Sequence, residues 1–168
     1  MKELYLVRHA KSSWTSAAAT DFDRPLNSRG HKSAPFMAGL LRQRFIQPDL
    51  FISSPANRAL TTARYFISAW EGQPEDVQQD NRLYPGSAAS ILAVVRDIPD
   101  RYDRVMLFGH NPGMTAVVNQ LGQEQIPNLP TAGVAGFTLS GDHWCDVLQL
   151  ERKLIVLEFP KTYKQEWI

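Results

Sequence analysis

Two histidines and two arginines, each placed just beyond an apolar run, carry the chemistry open to this sequence. Arg8 and His9 follow Leu4 to Val7, Arg58 comes shortly after Asp49 to Ile52, and His110 comes shortly after Val105 to Phe108. The planar fork of an arginine can grip two oxygens of one phosphate. An imidazole, with an ordinary pKa of about 6.5, is largely neutral near pH 7 and offers a lone pair. Neighbouring arginines favour that neutral form further. Together these groups suit phosphoryl transfer: a histidine attacks phosphorus, and water then hydrolyses the phosphohistidine, so that two easier steps replace one hard step. The arginines and the second histidine would steady the charge on the equatorial oxygens. Spacing alone does not decide whether His9 or His110 attacks.

These residues need elements to hold them. The runs Leu4 to Val7, Asp49 to Ile52 and Val105 to Phe108 read as strands, and unbroken apolar strands suit the middle of a covered sheet. Ala135 to Leu139 and Leu154 to Phe159 read as later strands. Cys145 to Leu150 is expected to pair with Leu154 to Phe159 as a hairpin around Glu151-Arg152-Lys153. Helices are expected over Ser28 to Phe45, with a kink at Pro35, and over Asn57 to Trp70, Ala88 to Ile98 and Pro112 to Leu121. Strand–helix alternation makes the chain an α/β protein with a mostly parallel sheet and antiparallel additions near the C-terminus. In such sheets ligands bind beyond the carboxyl ends of the strands, where the four residues fall. Ser54-Pro55 and Asn111-Pro112 read as helix starts, whose free N–H groups favour anions. Asn111 is therefore counted among the substrate contacts.

The remaining composition is ordinary. The chain of 168 residues carries a net charge of +1 and suits one domain over residues 1–168. Such a charge argues against a general nucleic-acid surface. No apolar run approaches a membrane span, and the N-terminus does not read as a signal peptide. A single cysteine, Cys145, rules out an internal disulfide framework and reads as a packed or half-exposed thiol. These features point to the cytoplasm. His31 and His143 lie away from the strand ends and read as surface residues. Ser12 to Pro25 reads as a long loop over the site, in which Trp14 either rims the pocket or packs in the core.

The motifs resemble those of a known family. Leu6-Val7-Arg8-His9-Ala10 resembles the Arg-His signature of the histidine phosphatase superfamily, which includes phosphoglycerate mutases. Ser53-Ser54-Pro55-Ala56-Asn57-Arg58-Ala59-Leu60-Thr61-Thr62-Ala63 is similar to its second-arginine motif, and Gly109-His110-Asn111-Pro112 to its second-histidine motif. The segments Arg8 to Trp14 and Asp21 to Gly30, with the short length, most resemble SixA-type phosphohistidine phosphatases. The resemblance implies a phosphoglycerate mutase-like, three-layer α/β/α sandwich. It implies His9 as the phosphorylated nucleophile, a phosphate pocket of Arg8, Arg58 and His110, and no metal or other cofactor. It also implies Ser12 as a substrate contact; Thr15 stands where mutase-like relatives carry an Asn.

One departure bears on substrate. Larger relatives place a general-acid Glu after the second-arginine helix, whereas Asn81-Arg82-Leu83-Tyr84-Pro85-Gly86 has no carboxylate. A poor leaving group needs a proton in the transition state, and an imidazole needs less help. The favoured substrate is therefore phosphohistidine in a protein partner, such as a signalling protein. Asp21 or Asp23 could still fold over as proton donor; otherwise both serve loop structure. The competing readings are a phosphatase of small phosphomonoesters or phosphoanhydrides, and a non-catalytic phosphate-binding module.

Overall fold

The computed structural model of the chain describes residues 1–15, 17 and 20–168. Six strands form one sheet: β1 (Lys2–Arg8), β2 (Leu50–Ser53), β3 (Gln78–Gln79), β4 (Arg104–Gly109), β5 (Val134–Leu139) and β6 (Arg152–Glu158). Their order is β3-β2-β4-β1-β5-β6. The first four in that order are parallel, and β5 and β6 join antiparallel beside β1. β3 was not legible in the sequence, since two exposed glutamines give no apolar signal.

Residues alternate across the central strands, as the pleat requires. Leu4 and Leu6 of β1 and Val105 and Leu107 of β4 enter one core, which is closed by α3 (Ala88–Arg96) and α4 (Gly113–Leu121). Tyr5, Val7, Met106 and Phe108 enter the other, closed by α1 (Ser28–Gln43) and α2 (Asn57–Ala69). Both faces of the sheet are thus covered, giving the expected α/β/α sandwich. A short α5 (Lys164–Trp167) ends the chain. No helix among the described residues is long and apolar enough to cross a membrane.

Several sequence expectations need correction. α1 carries Pro35 within it, as the sequence reading has it. It ends before Phe45, which is exposed and takes a left-handed φ of 61°. Cys145 to Leu150 is not a strand: Trp144–Asp146 is a turn of 3₁₀ helix, and the C-terminal hairpin pairs β5 with β6. Trp144 is the residue that packs there, donating its indole N–H to the Tyr102 carbonyl at 2.8 Å, while Cys145 is exposed.

The site-bearing ends are level. Arg8 lies in register with Gly109, and Ser53 with Phe108. The ladder continues one step further, with His9 N–H donating to the Gly109 carbonyl and Ser54 N–H to that of Phe108. Parallel pairing in register therefore delivers all three ends to one edge of the sheet.

Candidate active site

At that edge lies a pocket of about 240 Å³ lined by Arg8, His9, Ser12, Arg58, His110 and Asn111, with Lys11, Trp14, Asp21, Arg24 and Thr131. Adjacent residues of a strand point to opposite faces, an apparent obstacle for Arg8 and His9. It does not arise, because β1 ends at Arg8 and His9 belongs to the departing chain.

His9 is buried, and its Nδ1 lies 2.7 Å from the Ala10 carbonyl. A carbonyl only accepts, so Nδ1 carries the hydrogen and Nε2 keeps its lone pair. Burial lowers the His9 pKa to about 3; the Ala10 hydrogen bond opposes this, and His110, Arg58 and Arg8 add to it. Burial, with Arg58 next, lowers that of His110 to about 4. Both rings are therefore neutral near pH 7. Their centroids are 5.1 Å apart.

His110 Nε2 lies 2.8 Å from Ser54 Oγ, which also accepts the Ala56 N–H at 3.2 Å. The Ser54 hydroxyl keeps its hydrogen to donate to Nε2, and in that arrangement the hydrogen of His110 sits on Nδ1. Among the described residues, His110 Nδ1 and Arg8 Nε are the buried side-chain nitrogens without a protein partner. Buried donors rarely go unpaired, and two in one pocket suit an oxyanion. Arg8 is steadied by a 3.0 Å bond from a terminal nitrogen to the Leu129 carbonyl.

Arg58 stands on the first turn of α2 and is buried, reaching the pocket as its placement suggested. It donates to the Asp21 carbonyl at 2.7 Å and to Asp21 Oδ2 at 3.1 Å. Asp21 also accepts from Tyr84 Oη at 2.6 Å and from Arg24 at 2.9 Å. Tyr84 first, then Arg24 and Arg58, hold its carboxyl well below the usual carboxylate range. A group so held carries no proton near pH 7, so the proton-donor role expected for Asp21 is not supported. Asp23 lies outside the pocket lining, with its carboxylate bonded to the Thr20 hydroxyl in a local turn.

The helix starts also differ from expectation. α2 begins at Asn57: the Ser54 N–H is still tied to the sheet, and Ala56, with a ψ of 139°, is extended before the first turn. The Asn57 N–H is taken by the Phe22 carbonyl. Asn111 lines the pocket, yet its polar atoms are spent: Oδ1 accepts from Thr115 N–H and Oγ1, and Nδ2 donates to Asn128 and Leu129. Its side chain braces the loop whose Leu129 carbonyl holds Arg8. Thr15 is exposed and absent from the lining.

Sequence reasoning missed Arg24, the third arginine. It is buried, donating to the Ser13 carbonyl at 3.0 Å, to Asp21 and to the Ser12 hydroxyl. Its guanidinium carbon sits 3.3 Å from the Trp14 ring centroid, so Trp14, 79% exposed, rims the pocket. The arginine within Asp23-Arg24-Pro25-Leu26 gave no signal, because only the folded loop brings it inward. Tyr84 gives no signal either, since only the folded chain brings its phenol to Asp21.

Comparison with known proteins agrees with this geometry. The family model described as histidine phosphatase superfamily (branch 1) matches residues 4–84. An uncharacterized protein of Mycobacterium tuberculosis is 30% identical over 151 residues, covering 84% of this chain and 91% of its own. A candidate phosphohistidine phosphatase SixA from Agrobacterium tumefaciens superposes with a TM-score of 0.80 at 29% identity, covering 95% of this chain and 98% of that one. The protein histidine phosphatase SixA complexed with tungstate superposes at 0.78 with 20% identity, covering 96% and 99%; at that identity it shows the fold alone.

Proposed function

The chain belongs to the histidine phosphatase superfamily (branch 1), and we propose that within it the chain is a protein phosphohistidine phosphatase of SixA type, acting in the cytoplasm through a phosphohistidine on His9. The observation that carries the reading is the orientation of His9: Nδ1 is tied to Ala10, and the free Nε2 shares a pocket with Arg8, Arg58 and His110.

The chemistry then follows from the side chains. His9 Nε2 attacks phosphorus, a P–N bond forms, and the bond to the leaving imidazole breaks; its electron pair goes to that nitrogen, and a proton already on the ring's other nitrogen lets it depart as neutral imidazole. Arg8 and Arg58 grip the phosphoryl oxygens, and His110 Nδ1–H donates to the charge that builds on them. Water then attacks phosphorus, the bond to Nε2 breaks, and the lone pair returns to His9 as phosphate and a proton leave. No step calls on a metal or on a side-chain acid. Asp21 is ionised, and the Tyr84 phenol donates to Asp21. A leaving imidazole fits such a site better than a sugar alkoxide does.

The test is a panel of phosphohistidine peptides, sugar phosphates and nucleotides, with and without a chelator. The reading expects phosphohistidine to be turned over fastest, chelator to have no effect, and His9→Ala to abolish both turnover and an acid-labile, base-stable phosphoenzyme. Fast turnover of sugar phosphates beside slow turnover of phosphohistidine would favour the small-substrate reading. Tight phosphate binding with no turnover of any donor would favour the binding module.

A further inference from the structure

A second groove opens beside the first pocket and shares Lys11 and Thr131 with it. It encloses about 340 Å³ between the start of α1 and the C-terminal tail, and its walls carry Lys11, Arg29, Lys161, Lys164 and Trp167. The tail is docked rather than loose. Trp167 donates its indole N–H to the Pro160 carbonyl at 2.7 Å, Tyr163 donates to Glu158 at 2.8 Å and accepts from Arg44 at 3.1 Å, and the Phe36 and Tyr163 rings sit 5.7 Å apart.

The four cations are exposed. Among the described residues, none of them lies within ion-pair distance of a carboxylate. Glu166, on the same short helix, is not part of the lining. On a chain whose net charge is only +1, four unpaired cations around one groove form a local field, and Debye screening leaves such a field strong over about 8 Å. The groove shares Lys11 and Thr131 with the pocket that would hold the phosphoryl group, so residues flanking a phosphorylated side chain can reach it.

We propose that this groove receives acidic side chains flanking the phosphorylated residue of a protein substrate. The inference rests on the phosphohistidine reading above and adds a sequence preference to it. Lys161 and Lys164 would meet the carboxylates from the tail and Arg29 from α1, where its guanidinium sits 6.0 Å from the centroid of the Trp167 ring.

The test compares the wild-type protein with Lys161→Gln/Lys164→Gln on three donors: a phosphohistidine peptide flanked by glutamates, the same peptide with glutamines, and phosphoramidate. The expected result is a loss of about tenfold in kcat/KM on the acidic peptide, carried by KM and erased by high salt, with the other two donors unchanged. Equal rates of the wild type on both peptides, or equal losses on all three donors, would overturn the groove while leaving the phosphatase reading intact. Turnover of sugar phosphates but of neither peptide would overturn both.

Discussion

The phenol of Tyr84 donates to Asp21 Oδ2 at 2.6 Å, and Arg58 donates to the same oxygen at 3.1 Å. One carboxylate oxygen thus joins three segments: the loop after β1, the first turn of α2 and the segment before α3. Tyr84 stands in the segment where larger relatives carry an acidic residue. Here that segment delivers a donor that holds Asp21 ionised, and Asp21 in turn holds Arg58 across the pocket.

Asp21 also repels what the pocket is built to bind. A phosphoryl dianion must share Arg58 with a fixed negative charge at the rim. Asp21→Asn removes the charge but keeps an oxygen for Tyr84 and Arg58. Inorganic phosphate should then inhibit more tightly, by roughly three- to tenfold, equivalent to about 1 kcal/mol. Stability should fall by less than about 1 kcal/mol, because Asp21 is half exposed beside the buried Arg58. Phosphate inhibition constants and thermal melts check both; weaker inhibition would mean that holding Arg58 outweighs the repulsion.

The two buried histidines make stability depend on pH. Their pKa values fall to about 3 for His9 and about 4 for His110 in the folded chain, against about 6.5 unfolded. Between those limits the unfolded chain binds protons that the folded chain refuses. Their contribution is therefore fully present above about pH 6.5 and is lost as pH falls toward 4, by up to about 1.4 kcal/mol per unit per histidine. Denaturant melts from pH 4.5 to 7 should show a flatter profile for His9→Gln/His110→Gln than for the wild type. Parallel profiles would refute the shifted values.

Gly30 ties α1 to the pocket wall. A Cβ there would meet the Lys11 carbonyl oxygen at 2.2 Å, the same oxygen that accepts the Asn27 N–H at 2.9 Å. Gly30→Ala should destabilise by about 1–3 kcal/mol and lower kcat/KM by displacing Lys11 and Ser12. Gly39, in the same helix, would meet nothing within 4 Å. Gly39→Ala should therefore stabilise by about 0.5–1 kcal/mol with activity unchanged. Chemical denaturation and steady-state kinetics on both variants separate steric contact from helix propensity.

Five of the six strands and the four central residues are legible because their signals are local. Unbroken apolar runs mark buried parallel strands, and Arg8, His9, Arg58 and His110 follow those runs directly. Arg24 and Tyr84 are not, since each enters the site only through a loop whose path no periodicity encodes. The hairpin was misplaced for a related reason. Cys145 to Leu150 reads as a strand, but Asp100 accepts the Trp144 backbone N–H at 2.9 Å and the Tyr102 carbonyl accepts its indole N–H, and the chain forms a 3₁₀ turn there instead. Asn111 was read by type as a binder, and only the contacts reveal that Thr115, Asn128 and Leu129 have claimed its polar atoms.

Ser54 offers the sharpest test of the second histidine. It is fully buried, and its hydroxyl engages His110 Nε2 at 2.8 Å; donating there, it holds the proton of His110 on Nδ1. In Ser54→Ala the proton can sit on either nitrogen, and the tautomer with bare Nδ1 turns a donor toward phosphoryl oxygens into a lone pair. That change weakens stabilisation of developing charge more than ground-state binding. The expected result is a fall in kcat of roughly tenfold with KM nearly constant, and a stability loss of about 1–3 kcal/mol from the unpaired Ala56 N–H and His110 Nε2. Nitrogen NMR of the imidazole should show the Nδ1–H tautomer dominant in the wild type and mixed in the variant. An unchanged tautomer beside an unchanged kcat would show that Ser54 serves the turn before α2 and not the charge on the transferred phosphoryl group.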